Sequence, residues 1–111
     1  MAHVLVIDDE ESIVKMLSLA LSRKGFHVDA ASNGEEGIAK YDNHRFDLVI
    51  TDVKMPGVSG KIVARHVQNS NRPGTPVVGI SGTPWELVDN EFDAVLTKPF
   101  SLSSLYGAID H

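Results

Sequence analysis

The sequence predicts an α/β fold in which a five-stranded parallel sheet is doubly wound, with helices on both faces. Two observations carry this reading. Five short apolar runs, each too short for a stable helix, are spread along the 111 residues. The stretches between them place apolar residues at helical spacing, and strands that alternate with helices form parallel sheets covered on both sides. No repeat, linker or low-complexity segment interrupts the pattern, so residues 1–111 are expected to form one domain.

The first run, His3-Val4-Leu5-Val6-Ile7, is β-branched and almost wholly apolar, as suits a strand buried on both faces. Ile13, Leu17, Ala20 and Leu21 then recur at helical spacing up to Lys24, and Gly25 stands where a helix C′ glycine belongs. Phe26 to Ala30 alternates and reads as a more exposed second strand. Ser32-Asn33-Gly34-Glu35-Glu36 supplies a turn and N-cap for a helix carrying Ile38 and Tyr41. Phe46 to Thr51 is a third, buried strand ending at Asp52. Met55-Pro56-Gly57 is a turn, after which Ser59 caps a helix with Ile62, Val63, His66 and Val67 on its apolar side. Pro76 to Ile80 is a fourth strand ending at Ser81, and Trp85 to Asn90 has room for one or two helical turns. Ala94 to Thr97 is the fifth strand, and Leu102 to Ile109 a last helix capped by Ser101.

Composition narrows the function. A net charge of −5 and the lack of any basic run argue against a nucleic-acid-binding face, which needs clustered Lys and Arg. With no cysteine, thiolate zinc sites, disulfides and thiol nucleophiles are excluded. No segment approaches the roughly 20 apolar residues that span a bilayer, so no membrane insertion is expected and a cytoplasmic location is. The histidines at 3, 27, 44, 66 and 111 show no ligand spacing, and no histidine metal site is expected from them. No Walker loop, dinucleotide-binding glycine motif or nucleophile elbow is present.

In open parallel sheets ligands bind outside the carboxyl ends of the strands. Those ends carry Asp8 and Asp9, Asp52, Ser81 and Lys98. Singly each has an ordinary explanation: acids favoured in the first turn of a helix, a loop aspartate, a surface lysine. Together they place three carboxylates at one sheet edge, where they repel unless a cation lies among them. Oxygen ligands without Cys or clustered His favour Mg2+. A metal beside Asp52 would keep its carboxylate ionised and neutralise charge on an incoming phosphoryl group, with Lys98 and Ser81 as further donors.

Four short strings make the sequence resemble, over essentially its whole length, the receiver domain of two-component response regulators, with its CheY-like fold. They are Val4-Leu5-Val6-Ile7-Asp8-Asp9-Glu10, Asp52-x-x-Met55-Pro56-Gly57-x-x-Gly60, Ser81-Gly82 after an apolar strand, and Lys98-Pro99-Phe100. The resemblance implies strand order 2-1-3-4-5, with Asp52 accepting a phosphoryl group from the phosphohistidine of a sensor histidine kinase or phosphotransfer protein. It further implies Mg2+ held by Asp8, Asp9 (more directly), Asp52 and the main-chain carbonyl of Lys54. Met55, Pro56 and Gly57 would shape the acceptor loop, Ser81 and Lys98 would bind the phosphoryl group, and the Lys98-Pro99 bond would be cis. A downstream protein, not identifiable from sequence, would read a changed surface around the fourth helix, fifth strand and fifth helix.

Two departures stand out. Receivers usually carry an aromatic residue three positions before the lysine, whereas Val95 stands there and cannot make the same inward rotation. Ser81 and Lys98 are also closer in sequence than is usual, so the fourth helix is expected to be shortened, with Trp85 inside it as core residue or output contact. Lys54 is a candidate for tuning phosphoryl lifetime; an unchanged dephosphorylation rate in Lys54→Ala would leave it an ordinary loop lysine. The chain is not expected to be an enzyme beyond slow self-dephosphorylation. A phosphatase of the haloacid dehalogenase type would carry an Asp at position 54, and a degenerate receiver acting as a phosphorylation-independent binding module has no need of all five polar residues. The output works through protein contact, or the sequence is one domain of a longer protein.

Overall fold

Runs of β-branched residues with no polar interruption bury both faces only at the middle of a sheet, and the computed structural model, which describes residues 2–83 and 91–109, places them there. Its strands are β1 (His3–Ile7), β2 (His27–Ala31), β3 (Leu48–Asp52), β4 (Val77–Ser81) and β5 (Ala94–Thr97), all parallel, in the order β2-β1-β3-β4-β5. The fold is therefore the doubly wound α/β arrangement expected, with every residue of β3 and β4 buried and the edge strands β2 and β5 more exposed.

The described helices are α1 (Glu11–Arg23), α2 (Gly34–Asn43), α3 (Gly60–Gln68) and α4 (Leu102–Ile109). One layer joins Leu5, Ile7 and Val49 of the sheet to Tyr41 of α2 and Val63, Ala64 and Val67 of α3. The other joins Val4, Val6, Ile50, Val78 and Ile80 to Leu17 and Leu21 of α1 and Leu105 of α4. Alternation along each strand thus sends odd and even side chains to opposite layers.

The helix ends follow the sequence signals. Gly25 has φ +89 just after the C-cap of α1, a conformation that costs glycine nothing. Asn33 caps α2 by accepting from the Glu36 N–H at 2.8 Å, and the Glu36 carboxylate reaches back to the Ser32 N–H at 2.8 Å. Ser59 caps α3, and Ser101 caps α4 by accepting from the Ser104 N–H at 3.0 Å.

Three details differ from expectation. β2 starts and ends one residue later than Phe26 to Ala30, and Asp52 is the last residue of β3 rather than the first beyond it. Ile62 is 46% exposed, because the buried face of α3 is centred on Val63, Ala64 and Val67. The shortened helix expected around Trp85 lies outside the described residues. On the near side of that segment Phe92 is buried against the sheet, where Gly79 leaves room: a Cβ at 79 would lie 3.0 Å from the Phe92 ring. Arg65 of α3 grips Glu91 with both Nε and Nη2, at 2.9 and 2.8 Å.

Candidate functional site

The chain leaves β1 in one direction and β3 in the other, so a crevice opens between their carboxyl ends. Ile7 is paired with Thr51, which sets Asp8 level with Asp52 across it. Asp8 continues the alternation of Val4 and Val6, Asp52 that of Leu48 and Ile50, and Lys98 that of Leu96, all on the α1/α4 side. Register and parity together therefore bring these three side chains to one point.

Lys98 Nζ lies 3.2 Å from Asp52 Oδ2, 3.1 Å from Glu10 Oε1 and 3.9 Å from Asp8 Oδ2. The lysine is aimed by its own backbone: its N–H donates to the Ser81 carbonyl at 2.9 Å, and the Lys98–Pro99 peptide that follows is cis. Asp52 Oδ1 accepts from the Lys54 N–H at 3.3 Å. The Asp52 side chain keeps 8% of its surface exposed, at the floor of the crevice rather than at its rim. Below it, Met55 packs into the α2/α3 layer, and Gly57 turns the loop that follows β3 with φ +77.

Asp8 is the most perturbed acid among the described residues. Its Oδ1 accepts from the Glu10 N–H at 2.9 Å, while its buried Oδ2 has no hydrogen-bond partner. Burial raises its carboxyl to a pKa of about 6; the Glu10 N–H opposes the shift, and the Asp52 charge adds to it. Burial acts to lower the Lys98 ammonium, but the bond to Glu10 and the charges of Asp52 and Asp8 outweigh it and raise the pKa.

Among the described residues, Asp8, Glu10 and Asp52 form the one group of three His, Cys, Asp or Glu side chains whose ligand atoms all lie within 4.8 Å of one another. An octahedral ion with bonds of ~2.1 Å separates opposite ligands by about 4 Å, so the spread suits one hard cation. Three carboxylates against one ammonium leave the cluster negative, and Asp8 Oδ2, with no hydrogen bond and Lys98 no nearer than 3.9 Å, is an oxygen that a cation would stabilise. The cluster is thus able to bind a metal ion.

Two expected residues do not join it. Asp9 is exposed and lines, with Asp8, Glu11, Ser32 and Glu36, a depression that adjoins the cluster on the β2 side. Ser81 has the parity of Val77, on the opposite layer, and its Oγ accepts from the Thr83 N–H at 3.0 Å. Glu10, which the sequence motifs give no role, does join it. The acid run Asp8-Asp9-Glu10 was the signal, but only the turn closed by the Glu10 N–H on Asp8 decides which acid swings over the lysine. Val95, paired with Gly79, is half-buried against the α2/α3 layer, and Lys54 is exposed.

The raised pKa of Asp8 gives a pH prediction. A cation bound at this cluster needs Asp8 ionised, so affinity for a divalent cation should fall by about tenfold between pH 7 and pH 5; titration calorimetry giving equal affinities would contradict it. Without metal the sign reverses. The folded state holds a proton between about pH 4 and 6 that the unfolded state has lost, so the Asp8 contribution to stability declines as pH rises through that window. Thermal melts of Asp8→Asn should lack that component.

Comparison with known proteins agrees with the geometry. The model of the response regulator receiver domain family matches residues 4–110. The transcriptional regulatory protein GlrR of Escherichia coli is 34% identical over 98% of the chain, which spans only 26% of GlrR's own length. The structure of the chemotaxis protein CheY4 of Vibrio cholerae superposes with a TM-score of 0.86 at 32% identity, covering 96% of this chain and 94% of that one. That of the response regulator TrrA of Thermotoga maritima, in complex with Mg2+ and BeF, gives 0.87 at 31% identity, covering 96% and 95%.

Proposed function

The chain belongs to the response regulator receiver domain family, and from that premise we propose that Asp52 is its phosphoryl acceptor in a two-component phosphorelay. One carboxylate oxygen of Asp52 attacks the phosphorus of a phosphohistidine on a sensor kinase or phosphotransfer protein. The P–N bond breaks, its electron pair returns to the imidazole, and the histidine takes up a proton. Lys98, already 3.2 Å from Asp52, meets the negative charge on the transferring oxygens. Mg2+, when bound, neutralises further charge on those oxygens. Asp8 and Asp52 would hold it with the Lys54 carbonyl; either Asp9, by family analogy, or Glu10, by its position in the acid cluster, would complete the set.

The reading extends to the switch. A phosphoryl group on Asp52 competes with Glu10 for the Lys98 ammonium and offers Ser81 an acceptor. Ser81 would leave the Thr83 N–H and donate its hydroxyl to the phosphoryl group. The arrangement that allows this would then be favoured over the unmodified one. With Val95 on β5, this movement is not coupled to an aromatic rotation, and a partner protein would read the surface beside β5. Residues 1–111 act in this reading as one receiver unit in the cytoplasm. No described helix is long and apolar enough to cross a membrane.

The observation that carries the proposal is the meeting of Asp8, Asp52 and Lys98 at the β1/β3 crevice, with one buried Asp8 oxygen left without a hydrogen bond. Incubation with acetyl phosphate and Mg2+, followed by intact mass measurement, tests it. One phosphoryl group per chain is expected, and none after chelation. Continuous turnover of the donor would instead indicate a phosphatase. Absence of addition from acetyl phosphate and from a phosphorylated kinase alike would favour a degenerate binding module.

A further inference from the structure

We propose that Glu10 is a positioning residue that latches Lys98 in the unmodified chain and so slows phosphoryl uptake, which rests on Asp52 being the acceptor. The contact joins the loop after β1 to the loop after β5, 88 positions apart in sequence. Lys98 Nζ donates to Glu10 Oε1 at 3.1 Å and to Asp52 Oδ2 at 3.2 Å. Two of the three N–H groups of the ammonium are thus engaged by these acids.

Glu10 does not serve its own helix. It is the N-cap of α1, a position where a short polar side chain ordinarily accepts from the first turn. Asn33, Ser59 and Ser101 do so at the starts of α2, α3 and α4. The Glu10 side chain makes no cap hydrogen bond and reaches across to the lysine instead. Its backbone is pinned on both sides. The N–H donates to Asp8 Oδ1 at 2.9 Å, and the carbonyl accepts from the Ile13 and Val14 N–H groups at 3.1 and 3.2 Å. The side chain, 56% exposed, can swing away without disturbing turn or helix.

This arrangement bears directly on transfer. Asp52 lies deeper, with 8% of its side chain exposed, and Glu10 lies further out above it. A phosphoryl donor brings negative oxygens that need the Lys98 ammonium, and that ammonium is shared with Glu10 until the carboxylate lets go. Repulsion of the donor needs only a charge nearby, whereas a latch needs reach. Aspartate on the same pinned backbone would carry the same charge, but one methylene less would leave it short of Nζ. One substitution therefore separates latch from charge.

Uptake from acetyl phosphate, followed by intact mass with Mg2+ raised until the rate no longer changes, tests the latch, with Asp52→Asn run alongside. In this transfer an Asp52 oxygen bonds to phosphorus, the P–O bond to acetate breaks, and acetate leaves with the electron pair. The rate should rise about threefold to fivefold in both Glu10→Gln and Glu10→Asp, as suits the loss of a partly exposed ion pair. A second readout needs neither metal nor donor: NMR of the Lys98 methylene beside the ammonium in metal-free protein. Both variants should shift that signal and leave the Val63 methyls, in the opposite layer, unmoved. A native rate in Glu10→Asp would show that charge alone acts, and a rate below native in either variant would make Glu10 a participant in transfer. Either result overturns the latch, as does an unmoved Lys98 signal. Uptake that persists in Asp52→Asn would overturn the acceptor reading, and the latch with it.

Discussion

Asp52→Asn is expected to lower Mg2+-dependent phosphoryl uptake from acetyl phosphate below detection while leaving the fold intact. The amide has no anionic oxygen with which to attack phosphorus, and Lys98 cannot restore one. Structurally the exchange is mild. The side-chain oxygen of Asn can still accept from the Lys54 N–H, and Lys98 keeps its contact with Glu10. Removing the Asp52 charge also removes one cause of the raised Asp8 pKa, so the variant should melt no lower than the native protein near neutral pH. Uptake at native stoichiometry would show that another residue is the acceptor.

Gly60→Ala is expected to have the largest effect on stability of any change near the site. Gly60 opens α3 directly against the end of β3, and its N–H donates to the Val53 carbonyl at 3.0 Å. A Cβ at this position would run into the carbonyl oxygen of Asp52 and come within 2.9 Å of Val53 Cα. Both obstacles are backbone, so no rotamer change relieves them. Overpacking of this kind costs roughly 3 kcal/mol, and relief by moving the strand end would carry Asp52 away from Lys98. Urea denaturation should show the loss and intact mass the slower uptake; a change below ~1 kcal/mol with unaltered uptake would mean that the helix and strand separate more easily than the packing indicates.

Most of this architecture is legible in the sequence, because the signals are local. Apolar runs of four to six residues, the Gly25 stop and the Asn33 and Ser59 caps act within a few residues of where they stand. What is not legible depends on register and parity. Asp8, Asp52 and Lys98 could be gathered in advance because each closes a strand. That Ser81 falls on the other layer from them is decided by a single step of alternation, which the ill-defined start of β4 hides. The choice between Asp9 and Glu10 rests on one hydrogen bond in a turn. Helical spacing alone puts Ile62 on the buried side of α3, yet Val63, Ala64 and Val67 already fill the contact with the sheet. His3 and His27 are neighbours only because β2 joins β1 in a parallel register, which no spacing along the chain can express.

In the proposed function the acceptor is the carboxylate at position 52, made reactive by a metal ion gathered among the strand-end acids. Borohydride reduction of the acyl phosphate, followed by peptide mapping, tests it most directly, since reduction marks the acceptor permanently as homoserine. Homoserine is expected at position 52 alone, and only when Mg2+ is present during phosphorylation. Homoserine at position 8 or 9, or equal labelling at position 52 with Mg2+ chelated, would contradict it.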